Sequence, residues 1–138
     1  MEKTDIDPSV HIDSIRPDVR DDVRELDTHL SRVMAGHDRV LWTGVFWGGT
    51  EQSIIGYGDL VQERPRGKSI EWFIVGLAAQ KNYISVYVNA VDDGKYLVEK
   101  YADTLGRVKT GKSSIAFGSL ADVDLPALLE LVDKARPR

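Results

Sequence analysis

The chain contains no cysteine in its 138 residues. That excludes disulfides, thiolate zinc centres, cysteine-ligated iron–sulfur clusters and a cysteine nucleophile, and it suits a reducing compartment. Long hydrophobic runs are missing too. The most apolar stretch, Trp72–Ala79, is far short of the roughly 20 residues a helix needs to cross a bilayer. The opening MEKTDIDPSVHID is acidic and lacks the apolar segment of a secretion signal. These absences predict a cytoplasmic protein without a membrane partner. Positive charge is also scarce: 18 Lys and Arg face 22 Asp and Glu, for a net charge of −4. Nucleic-acid binding needs a basic face. The small basic spots at Arg64, Arg66 and Lys68 and at Arg107, Lys109 and Lys112 read as solvated loop charge, so no nucleic-acid partner is expected.

What is present is an ordinary globular composition, 42% hydrophobic and 29% charged, in a length that suits one domain. Residues 1–14 are polar, carry Pro8, and read as a flexible tail; residues 15–138 read as a single α+β domain. Pro17 suits the first turn of a helix, where its missing N–H is harmless. Val19, Val23, Leu26, Leu30 and Val33 form the apolar stripe of that helix, with Gly36 just past its end. The segment 37–53, rich in aromatics and broken by Gly48 and Gly49, reads as a buried aromatic loop. Three strands are expected next, at Ile54–Val61, Ile70–Leu77 and Tyr83–Ala90, the last alternating cleanly. After a turn at Asp92–Gly94, a second helix runs to Gly106. Ser114–Phe117 gives a fourth strand, and Asp124 caps a last helix with Pro126 in its first turn. The predicted order is α-β-β-β-α-β-α, an antiparallel sheet of about four strands flanked by helices. An uncovered strand edge allows either a monomer or a homodimer.

The segment from Gly106 to Ser113 spells the phosphate-loop pattern G-x-x-x-x-G-K-[ST] letter for letter. That chemistry needs a strand before the loop and a helix after it, so that free helical N–H groups hold the phosphates. Here a helix precedes and a strand follows. The expectation is a turn with solvated lysines, with weak anion binding by Thr110, Gly111 and Lys112 as a lesser alternative.

Asp18, Asp22 and Glu25 share one face of the first helix, and hard cations favour such carboxylates. Arg16, Arg20 and Arg24 are interleaved with them, which favours a solvated face over a metal ridge. His11, His29 and His37 are not paired at ligand spacing. No serine-nucleophile motif is present, and no catalytic residue or cofactor is implied.

Aromatic rings crowd the middle of the chain. Trp42, Trp47, Tyr57, Trp72, Tyr83 and Tyr87 are the candidate ligand-binding residues, with Gly56 and Gly58 leaving room on one strand face. The simpler reading is that the rings fill the core. The functional expectation is a non-enzymatic module that binds a small molecule or a protein.

Several segments are similar to a known family. Gly58 closing the first strand, Lys81-Asn82-Tyr83-Ile84-Ser85-Val86-Tyr87, and Lys109-Thr110-Gly111-Lys112 ahead of Ile115-Ala116-Phe117 resemble the YdhG-like proteins, some of which are described as frataxin-like bacterial iron chaperones. The resemblance spans about Val19 to Ala135. It implies a compact α+β fold and, as an alternative function, iron handling, but supplies no agreed catalytic residues or metal ligands; the acidic face of Asp18, Asp22 and Glu25 is the candidate the residues themselves offer for that alternative. The chain departs from the family where Tyr83 stands in place of a common histidine and Leu60 in place of a common proline.

Overall fold

The computed structural model describes residues 1–46, 50–63 and 69–137. Pro17 opens the longest helix, α2 (Pro17–Val33), whose buried stripe is Val19, Val23, Leu26 and Leu30 together with Asp27. Before it come β1 (Glu2–Lys3) and α1 (Pro8–Asp13), the latter capped by the Asp7 carboxylate, which accepts from the Ser9 N–H. The first fourteen residues are therefore not a loose tail. β1 pairs antiparallel with the next strand, Lys3 opposite Trp42, and Ile12 is buried in the core.

The sheet is larger than expected. β2 (Arg39–Phe46), β3 (Thr50–Glu63), β4 (Ser69–Ala79) and β5 (Ile84–Val88) follow one another as antiparallel neighbours. The chain then forms a small hairpin, β6 (Val91–Asp92) and β7 (Lys95–Tyr96), turned by Asp93 and Gly94 at φ 52° and 76°, as its tight connection requires. The short helix α3 (Leu97–Tyr101) comes next, then a hairpin of β8 (Lys109–Thr110) and β9 (Ser114–Phe117), then α4 (Leu125–Ala135). The main sheet has seven strands in the order β1-β2-β3-β4-β5-β9-β8. The fold is thus α+β with a large antiparallel sheet, and the four-strand expectation is corrected to seven. Most of segment 37–53, expected as a loop, is β2 and the start of β3. The adjacent buried side chains Leu41 and Trp42 pack on opposite faces of the sheet, which conceals the alternation a strand normally shows.

Leu26 and Leu30 of α2, Leu128 and Val132 of α4, Ile12 of α1 and Leu97 and Val98 of α3 all enter one core with Ile55, Val75, Leu77, Val86 and Val88 of the sheet. A second cluster holds only strand residues at its centre: Trp42, Ile54, Phe73 and Ala78. One face of the sheet is therefore covered by helices, and the other is closed by its own rings. The closure depends on glycine. A Cβ at Gly56 would lie 2.6 Å from Trp42 Nε1 and 2.8 Å from Phe73 Cβ, and one at Gly76 would lie 2.4 Å from Phe73 Cε1. Gly58, at φ 79°, marks a break in alternation, after which Ile74 and Val75 both enter the helix-side core while Phe73 enters the other. Among the described residues, no helix is long and apolar enough to cross a membrane.

Gly56→Ala tests the ring layer without a change of backbone region. It is expected to lower stability by about 2 kcal/mol, the usual cost of overpacking, and to shift tryptophan emission. Urea unfolding followed by fluorescence measures both.

Candidate functional site

The most polar buried feature among the described residues is a carboxylate on α2. Asp27 lies on the inward stripe of α2 and is 8% exposed. Its Oδ1 accepts from the Tyr57 hydroxyl at 2.6 Å and from Arg39 Nε at 2.9 Å, and its Oδ2 accepts from Arg39 Nη2 at 2.7 Å. Ser31 Oγ also donates to Oδ1 at 3.4 Å, and Arg39 Nη2 donates to Ser9 Oγ at 3.2 Å. Burial, together with the neighbouring Asp27 charge, holds the Tyr57 phenol well above its ordinary pKa. The hydrogen bonding that Arg39 donates to Asp27 is the main reason the Arg39 pKa is held above its usual value. The carboxylate's oxygens are fully engaged inside the fold, so this group staples α1, α2, β2 and β3 together rather than presenting a base to a substrate.

The candidate ligand-binding aromatics do not form one surface. Trp42 and Trp72 meet edge to face with centroids 5.7 Å apart, and Trp72 stacks on Phe73 at 4.5 Å. Tyr87 meets Phe73 edge to face at 6.3 Å and accepts from Gln80 Nε2 at 3.2 Å. Tyr57 lies in the helix-side core, across the sheet from that cluster. The room expected at Gly56 is filled by Trp42 and Phe73, and that at Gly58 by Ile74 and Met34. Trp47 lies outside the described residues. Tyr83 stands apart, 43% exposed.

Tyr83 borders a cleft of about 810 Å³ where β5, β8 and β9 end. Asn82, Tyr83, Arg107, Lys109, Phe117 and Gly118 are among its lining residues. The wall carrying Arg107 is fixed from behind. The Arg107 N–H donates to Asp122 O at 2.8 Å, and the Asp124 N–H donates to Leu105 O at 2.8 Å. Gly106 sits between them at φ 91°, and a Cβ there would lie 2.7 Å from Asp122 O, so only glycine fits the position. Arg107, Lys109 and Lys112 have no carboxylate partner among the described residues. The phosphate-loop look-alike is the β8–β9 hairpin. Ser114 begins a strand, and the Gly111 N–H donates to Ser114 O at 2.9 Å. Thr110, Gly111 and Lys112 therefore belong to a hairpin turn beside the cleft, with no helix N-terminus after them.

The acidic face of α2 is dispersed among other partners. Asp18 Oδ2 pairs with Arg16 Nη1 at 2.6 Å, Asp22 Oδ2 accepts the Leu120 N–H at 3.0 Å, and Glu25 Oε2 lies 3.8 Å from His29 Nε2. Among the described residues, no three His, Asp or Glu converge as metal ligands.

Fold and site together define an α+β protein with a cation-lined cleft at one end of an antiparallel sheet. No family model, curated protein or solved structure matches the chain.

Two substitutions test the staple. Asp27→Ala leaves Arg39 and Tyr57 without their acceptor and is expected to cost about 3 kcal/mol. Tyr57→Phe removes one hydrogen bond to a charged group, about 1.5 kcal/mol. Chemical denaturation measures both. The raised Tyr57 pKa also sets a pH dependence. The unfolded phenol loses its proton near pH 10, while the folded one keeps it, so the folded state binds more protons above that pH and stability falls as pH rises further. The alkaline loss of Tm is expected to be smaller in Tyr57→Phe than in the wild type.

Proposed function

We infer that this chain is a non-enzymatic binding module that takes an anionic small molecule in the cleft lined by Asn82, Tyr83, Arg107 and Lys109. The observation that carries the reading is the coincidence of a cleft of about 810 Å³, within the size range of small-molecule sites, with cations that no carboxylate among the described residues neutralises. In a chain of net charge −4, unpaired cations converging on one concavity favour an anion there. Tyr83 offers a ring face or edge to a planar group on the ligand, and the Asn82 amide can both donate and accept. The group with the most displaced pKa, Tyr57, is sealed in the core away from the cleft. That arrangement favours binding over acid–base turnover. The cysteine-free composition supports a cytoplasmic setting.

The YdhG-like resemblance supports an alternative, ferrous-iron handling by Asp18, Asp22 and Glu25. The geometry favours the cleft, because those carboxylates are engaged with Arg16, with the Leu120 N–H and alongside His29.

Calorimetric screening with aromatic carboxylates and nucleoside monophosphates tests the cleft. The double variant Arg107→Ala, Lys109→Ala is expected to weaken a hit by about tenfold or more. Its stability should stay within about 0.5 kcal/mol of wild type, as for other exposed substitutions. Undiminished affinity in the double variant refutes the assignment. Anaerobic ferrous titration decides the alternative. Sub-millimolar binding that Asp18→Asn with Asp22→Asn abolishes would establish the iron reading in its place.

A further inference from the structure

Away from that cleft, one cation is left in an unfavourable state. The Nε and Nη2 atoms of Arg16 are buried and have no hydrogen-bond partner among the described residues. Its Nη1 alone is engaged, with the Asp18 carboxylate at 2.6 Å. Buried donors are almost always satisfied, and an exception points to an acceptor still to be supplied. The Nε–Nη2 edge is the one that grips a carboxylate with two parallel bonds. Arg39 uses this same edge on Asp27 in this protein.

Arg16 stands at the corner between α1 and α2, and that corner forms one wall of a second groove of about 440 Å³. Gln52 and Ser53 of β3 and Lys81 of the turn after β4 line the other walls, so this groove shares no lining residue with the cleft at Arg107. Lys81 has no carboxylate partner among the described residues. His11 also lines the groove, and burial lowers its pKa, so at neutral pH it adds a hydrogen-bonding group and no charge. Glu51 places one negative charge in the wall, which disfavours a dianion. The Arg16 side chain keeps 32% of its area exposed, and that of Asp18 keeps 64%. Because Nε and Nη2 are themselves buried, a ligand in the groove reaches this edge when the guanidinium turns, exchanging its solvated pair with Asp18 for the ligand.

We propose that this groove binds a small molecule bearing a carboxylate, gripped by the Nε–Nη2 edge of Arg16, with Lys81 as the second positive charge. Gln52 and Ser53 hydrogen-bond the remainder of the ligand. The orphaned edge is retained, at some cost to stability, because the ligand completes it.

The test is a two-dimensional NMR titration of the full chain with acetate at constant ionic strength, with inorganic phosphate as a second arm. Saturable shifts of the Ile15, Arg16, Ser53 and Lys81 amides are expected with acetate, and weaker ones with phosphate. Arg16→Lys keeps the charge but loses the fork, and should weaken acetate about tenfold. Lys81→Ala, at an exposed site, should weaken it severalfold without altering the fold. Arg16→Met should raise Tm while abolishing binding, because it deletes unsatisfied donors. Non-saturating drift, tighter binding of phosphate than acetate, unchanged affinity in Arg16→Lys, or a lower Tm in Arg16→Met would each overturn the proposal.

Discussion

The arrangement of this molecule turns on one buried carboxylate. Asp27 projects from the apolar stripe of α2 into the gap between helix and sheet, where Arg39 of β2 forks it and Tyr57 of β3 caps it. Burying such a pair is not in itself strongly stabilising, because desolvation offsets much of the attraction. What it supplies is discrimination. If α2 rotated or slid by one residue on the sheet, Asp27 would face Leu and Ile side chains without an acceptor's partner, and the Arg39 guanidinium would be stranded beside the core. The link from Arg39 to Ser9 extends the same constraint to α1. Once α2 is seated, its stripe defines the surface against which α4 packs, and Arg136 reaching Val33 O at 3.4 Å ties their ends.

The opposite face obeys a different rule. Antiparallel sheets commonly leave one face to water and line it with polar groups. Here long strands β3 and β4 carry Gly56 and Gly76 at matched positions, and Trp42 and Phe73 lie across the space those glycines leave. A layer of rings takes the place of a layer of helices. This explains why the aromatic density of residues 42–87 is a poor guide to ligand binding. Among the described rings, Trp42, Trp72, Phe73 and Tyr87 seal one face of the sheet, and Tyr83 belongs to a different end of the molecule.

Much of the fold was legible in the sequence, for local reasons. The stripe Val19 to Val33, the cap at Asp124 and the short apolar run Ser114–Phe117 each depend on neighbours in sequence, and each appears where its pattern placed it. The phosphate-loop look-alike was legible as a turn because the order of helix and strand around it is itself local. What escaped was long-range. β1 exists only because Lys3 finds Trp42, and α1 is held by Ile12 reaching a core assembled from later segments. β2 was hidden because Leu41 and Trp42 are buried on opposite faces, so no alternation was visible. Asp27 left a readable trace: it sits four residues after Val23 and three before Leu30, an inward position for an acid. The cleft left none, since Tyr83, Arg107 and Phe117 converge only through the β5–β9–β8 pairing.

The cations beside the cleft admit two physical roles. β8 is an edge strand, and lysines on an edge discourage pairing with another chain. That role accounts for Lys109, which lies within the strand, and for the exposed Lys112 in its turn. It does not account for Arg107, which precedes the strand and whose backbone is fixed by its bond to Asp122 O and by a neighbouring glycine that tolerates no side chain. A fixed backbone beside a concavity is unnecessary for repelling a neighbour, and it suits the anion site proposed above. The net negative charge of the chain does not oppose this, since at physiological ionic strength charges beyond about 8 Å are largely screened. Within that radius Arg107 and Lys109 contribute positive charge, and the backbone bonds around Gly106 would limit the reorganisation that the proposed anion requires.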